Sequence, residues 1–96
     1  METFKIGDCR FEVGDESSYL IVKQFSCTPA NEWMYRRQLL GWKYYIQKDY
    51  PNACFTYNIE GGPCLRISRL KPNEVETIKN KYILSRKIYY NDETYE

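Results

Sequence analysis

Apolar and polar residues alternate at the start of the chain, at Phe4 and Ile6 and again at Cys9, Phe11 and Val13. Such alternation puts the apolar side chains of an extended strand on one face. Gly7-Asp8 separates the two runs. A two-residue turn there sets Ile6 opposite Cys9 and Phe4 opposite Phe11, with all five apolar residues on one face. A four-residue connection at Gly14-Asp15-Glu16-Ser17 then sets Phe11 opposite Leu20 and Cys9 opposite Val22. The third strand, about residues 19–25, is apolar on both faces at Tyr19, Leu20, Ile21 and Val22. That pattern suits a central strand, or one covered on both sides.

The period changes after Cys27. Thr28-Pro29 reads as a helix start, with the threonine hydroxyl as N-cap and proline in the first helical position. The helix is expected to reach about Lys48, before Asp49-Tyr50-Pro51-Asn52 breaks it. Gly41 is unfavourable inside a helix by about 1 kcal/mol. A rival division therefore ends the helix at Leu40 and makes residues 42–47 a strand. One long helix is favoured because Tyr35, Leu39, Trp42 and Ile46 stay in phase across the glycine, within about 60° of arc.

Residues 53–59 and 64–70 flank Gly61-Gly62-Pro63 and read as a second hairpin. A bulged three-residue loop pairs Ile59 with Leu65 and Tyr57 with Ile67, which keeps them on one face. Pro72 opens a second helix with Val75, Ile78 and Tyr82 as its core stripe. Beyond Ile83 the phase is lost, and residues 84–90 read as a last turn or a short strand. The expected fold is a small α+β domain, an antiparallel sheet with two helices in the order βββ-α-ββ-α. It occupies residues 1–90, followed by a mobile acidic tail over 91–96.

Composition adds one unusual feature. Ten tyrosines and two tryptophans among 96 residues exceed what one small core needs. Tyrosine has an apolar body and a polar tip, which suits a surface that a partner will cover. The competing explanation is codon bias in an AT-rich genome. The N-terminus lacks the pattern of a signal peptide, and no apolar run approaches the ~20 residues that span a bilayer. These features lead to the expectation of a cytoplasmic protein (in the host cell, if viral) with no membrane partner. Cys9, Cys27, Cys54 and Cys64 form no C-x-x-C pair, and the chain has no histidine. Zinc would need all four thiolates or carboxylate help. The four are therefore read as buried free thiols, a disulfide being at odds with the cytoplasm.

The net charge of +1 is unevenly spread: −3 over residues 1–32, +7 over 33–87 and −3 over the last nine. The middle of the chain could thus present a basic face. Opposite the core stripe of the first predicted helix run Trp33, Arg37, Leu40, Tyr44 and Lys48, aromatic, apolar and cationic residues along one line. This is not the polar back of an ordinary amphipathic helix. In one reading it packs beneath the second helix or a loop, with the cations reaching out to solvent. In a second it binds a protein, since tryptophan, tyrosine and arginine dominate interface hot spots. In a third it binds nucleic acid, with Arg36, Arg37, Lys43 and Lys48 on phosphates and the aromatic rings on bases. The acidic ends and small net charge weigh against the third. A homodimer seam is a further outcome.

No catalytic constellation is legible. Without histidine there is no Ser-His or Cys-His pair, and no phosphate-binding glycine motif or nucleophile elbow occurs. Glu74 and Glu76 fall in the first turn of a helix, where the dipole favours acids. The expectation is a non-enzymatic protein-binding module without a cofactor. One concrete form is an inhibitor or anti-defence protein of viral or phage type that masks a partner surface. The alternative is a nucleic-acid-binding domain that uses the first helix.

Overall fold

The computed structural model describes residues 2–85. The alternating runs form β1 (Glu2–Ile6) and β2 (Cys9–Asp15), joined at Gly7-Asp8 with Phe4 opposite Phe11 and Ile6 opposite Cys9. β3 (Leu20–Phe25) pairs with β2 with Val13 opposite Val22 and Asp15 opposite Leu20. The expected register therefore needs correction. β2 continues through Gly14 and Asp15, and the loop falls two residues later. Moving the loop by two changes each partner by four residues, with Phe11 opposite Gln24 and not Leu20. An even step preserves which face each side chain takes, so the core assignment survives it.

The long helix, α1 (Glu32–Asp49), passes through Gly41 without a break. Its start differs from expectation. Asn31 is the N-cap residue, and Thr28 lies in a preceding turn, where its carbonyl accepts from Asn31 and Glu32 N–H. The Thr28 hydroxyl donates instead to Asp8 (2.9 Å), and the Asn31 amide donates to the same carboxylate oxygen (3.0 Å). The β1–β2 turn thus holds the entry to α1.

β4 (Cys54–Asn58) and β5 (Cys64–Ser68) follow, with Tyr57 opposite Leu65 and Phe55 opposite Ile67. This too corrects the expected pairing. Ile59 leaves the ladder, and Gly61 and Gly62 both take positive φ in a five-residue loop. The Asn58 side chain accepts from Glu60 N–H (2.9 Å), and the Ile59 carbonyl accepts from Gly62 N–H (3.1 Å), which closes the loop locally. α2 (Pro72–Ile78) begins with the Glu74 carboxylate accepting from Lys71 N–H (2.8 Å). It widens into a π-turn (Lys79–Ile83) in which the Leu84 N–H reaches the Lys79 carbonyl. The widening lets Tyr82 and Ile83 both point inward, where the regular helical phase fails.

The sheet order is β1-β2-β3-β5-β4, all neighbours antiparallel, so β3 is central as its composition suggested. Among the described residues both helices lie on one face. Phe4, Phe11, Leu20, Val22, Leu65 and Ile67 of the sheet meet Tyr35, Leu39, Trp42 and Ile46 of α1, with Val75, Ile78 and Ile83 closing the end. The centre is aromatic: Trp42 stands edge-on to Phe4 and Phe11, whose rings stack at 5.5 Å. Lys79 ties α2 to the sheet through Asp15 (2.8 Å) and Glu2 (3.8 Å).

The expectation of four buried free thiols fails: two are bridged, Cys54 is free but exposed, and Cys64 is free and half-buried. Cys9 and Cys27 form a disulfide. With Arg10 opposite Phe25, the ladder places Cys9 beside Ser26. Ser26 takes φ +56°, which turns Cys27 back toward β2. In the expected register Cys9 faced Val22, so its partner was hidden. The expected tail, 91–96, and most of the stretch 84–90 lie outside the described residues.

Candidate functional site

α1 has two faces of different character. Tyr35, Leu39, Trp42 and Ile46 are at most 6% exposed and fill the core. The opposite line carries the residues singled out above. Trp33 is 56% exposed and Tyr44 38%, while Lys48 is exposed and Arg37 and Leu40 are half-buried. The stripe does not lie beneath α2. The π-turn meets α1 at its C-terminal end, where the Tyr82 hydroxyl donates to the Asp49 carboxylate.

The cations on this face lie over its rings. The Arg37 guanidinium sits 4.9 Å from the centre of Trp33. Lys48 Nζ sits 4.5 Å from the centre of Tyr44 and 5.1 Å from Tyr45, and the two tyrosines meet edge-to-face. The i, i+4 spacing of Trp33 with Arg37 and of Tyr44 with Lys48 brings each cation back above a ring. Each such contact is worth about 0.5–1 kcal/mol at an exposed site. It also holds large side chains in one orientation before any partner arrives, which reduces the entropy lost on binding. The result is an ordered strip of flat rings, with a guanidinium at one end and an ammonium at the other.

The cations assigned to phosphates in the nucleic-acid reading are divided. Arg37 and Lys48 belong to the strip. Arg36 pairs with Glu32 (3.2 Å) on the flank nearest β4, and Lys43 is half-buried on that same flank. They do not form a single open line.

Ile59 was assigned to a strand and is instead 55% exposed in the β4–β5 loop. The signal that would have placed it is Asn58-Ile59-Glu60-Gly61-Gly62, in which two consecutive glycines and an asparagine favour a longer loop. The same loop and Glu32, in the first turn of α1, border one shallow hollow of about 460 Å³. The apolar tip therefore lies at the Trp33 end of the helix.

Of the two free thiols, Cys54 is exposed and Cys64 half-buried. Burial pushes the Cys64 thiol above its ordinary value, against the opposing effect of Lys23 and Arg66. Among the described residues no group of three or more cysteine, aspartate or glutamate side chains could hold a metal ion, and no helix is long and apolar enough to cross a membrane. Compared with known proteins, the chain matches no family model, no curated protein and no solved structure.

Proposed function

We propose that the protein is a small non-enzymatic binding module that recognises another protein through the outer face of α1: Trp33, Arg37, Leu40, Tyr44 and Lys48. One observation carries this reading: large aromatic side chains are exposed and held in place by cations, on a helix whose other face already fills the core. A partner with acidic and apolar residues would complement the strip, displacing water from the rings while its carboxylates meet Arg37 and Lys48. An inhibitor or anti-defence protein of viral or phage type, acting by masking such a partner, is the concrete form proposed.

Affinity capture from source-cell lysate, with and without nuclease, tests it. The wild-type chain and the double variant R37E/Y44A are compared under identical conditions. A protein enriched by the wild type, lost with the variant and insensitive to nuclease is the expected result. Equal capture by both forms would remove the strip from the account. Disappearance of the captured material with nuclease would transfer the reading to nucleic acid. If the captured partner is the chain itself, the strip is a homodimer seam.

A cytoplasmic site of action is part of the proposal, and the Cys9–Cys27 bridge bears on it, because such bridges persist mainly in oxidising compartments. Alkylation under denaturing conditions at harvest, followed by intact-mass measurement, decides the matter. Four alkylated thiols fit a reducing cytoplasm. Two would end the cytoplasmic assignment.

A further inference from the structure

The sheet has a second face, turned away from both helices. Strand alternation places on it Lys5 of β1, Arg10 and Glu12 of β2, Ile21, Lys23 and Phe25 of β3, and Cys64 and Arg66 of β5. The register aligns the cations. Lys5 is directly opposite Arg10. Arg10 is opposite Phe25, one step along the face from Lys23. Lys23 is opposite Cys64, one step along from Arg66. Four neighbouring strands thus contribute one cation each, in a diagonal whose oblique steps are about 7–8 Å between backbones. Among the described residues none of the four forms an ion pair with a carboxylate.

Aromatic surface accompanies the diagonal. Phe25, half-buried, flanks Arg10. Tyr19 lies at the other end, with the Arg66 guanidinium 4.5 Å from its ring centre. Between Tyr19 and Lys23, where Gly14 presents no side chain, a shallow hollow of about 470 Å³ opens over Ile21. Its lining includes Glu12, directly opposite Lys23, and Glu16, whereas the Asp15 carboxylate is engaged by Lys79 on the helix side of the sheet. That lining would repel a phosphate, but it suits the amino edge of a base.

We infer that this face binds single-stranded nucleic acid, with phosphates along Lys5, Arg10, Lys23 and Arg66 and unstacked bases against Tyr19 and Phe25. A duplex keeps its bases stacked inside, so a single line of cations flanked by aromatic rings fits it less well than a strand whose bases are free. The inference does not depend on the role proposed for α1, which lies on the opposite side of the sheet.

The test is fluorescence anisotropy with a labelled 15-nucleotide strand of mixed sequence, as DNA and as RNA, against the same sequence as duplex. Four phosphate contacts predict that log affinity falls with log salt at a slope of about −3. The variant K23E/R66E should lose about tenfold or more, and K5E/R10E, at the far end of the diagonal, should lose a comparable amount. R37E/Y44A should bind like the wild type, which separates this surface from α1. Far-ultraviolet circular dichroism confirms that each variant is folded, and using two independent pairs keeps the test decisive if one pair is not. No binding at low salt, tighter binding to duplex, or equal competition by polyglutamate would overturn the inference. So would an affinity that both charge-reversal pairs leave unchanged, or a loss confined to R37E/Y44A.

Discussion

Gly7 sits in the β1–β2 turn at φ +63°, and the space that a Cβ would fill is taken by the Tyr35 hydroxyl. Two separate effects therefore oppose a side chain there: the left-handed backbone and the clash. Gly7→Ala should lower stability by roughly 1–3 kcal/mol. Part of that loss should return in the Tyr35→Phe background, where the hydroxyl is gone, and urea denaturation of the four proteins of this cycle measures the coupling. Asp8, next in the chain, is held below its ordinary carboxylate value by the Asn31 and Thr28 hydrogen bonds, and Asp15 by Lys79. Lys79 is correspondingly raised, chiefly by Asp15. A depressed acid stabilises the fold above its unfolded value, near 3.9, and the contribution disappears as pH falls through the lower folded value. The raised lysine contributes below about 10.4, and that contribution disappears as pH rises through the higher folded value. With no histidine in the chain, unfolding midpoints should be nearly flat around neutrality and should drop below about pH 4. A steep change between about pH 6 and 7 would contradict these assignments.

At the scale of elements, α1 carries the main argument. Its core stripe was legible because four large apolar residues recur in helical phase, and that phase outweighed Gly41. Its outer stripe was legible as an anomaly, but not as exposed or covered, because periodicity reports which residues share a face and not what lies over it. All three hairpins kept the expected faces, but the β2–β3 loop moved by two residues and the β4–β5 loop lengthened by two. Alternation fixes parity, whereas the turn fixes register, and Gly-Asp-Glu-Ser and Gly-Gly-Pro each admit more than one loop length. The misplaced second loop concealed the Cys9–Cys27 pairing. A long-range partner for Thr28 concealed the true N-cap at Asn31, since Asp8 is distant in sequence and adjacent only after folding. The bridge closes a loop with a sequence separation of 18. Reduction should therefore lower the unfolding free energy by about 3 kcal/mol, read from denaturant curves with and without reductant. No change on reduction would mean that the bridge does not constrain the folded domain.

Among the described residues both helices pack on one face of the sheet, and the outer side of α1 and the far side of the sheet are the two surfaces proposed for recognition. They lie on opposite sides of one core, so one can be disabled without touching the other. The sheet-face diagonal was not legible beforehand. Lys5, Arg10, Lys23 and Arg66 come from four strands and align only once the register is known, while charge counted along the chain drew attention to the helix instead. The binding role proposed for α1 rests on one structural claim, that the helix is core on one side and exposes Trp33 and Tyr44 on the other. Equilibrium urea unfolding of Trp33→Ala/Tyr44→Ala, set beside Trp42→Ala, tests that claim most directly. The outer pair is expected to cost no more than about 2 kcal/mol, the worth of its two cation–π contacts, while the loss of buried Trp42 removes about 3–5 kcal/mol. A loss of several kcal/mol from the outer pair would show that the strip supports the fold, and the binding role assigned to α1 would be contradicted.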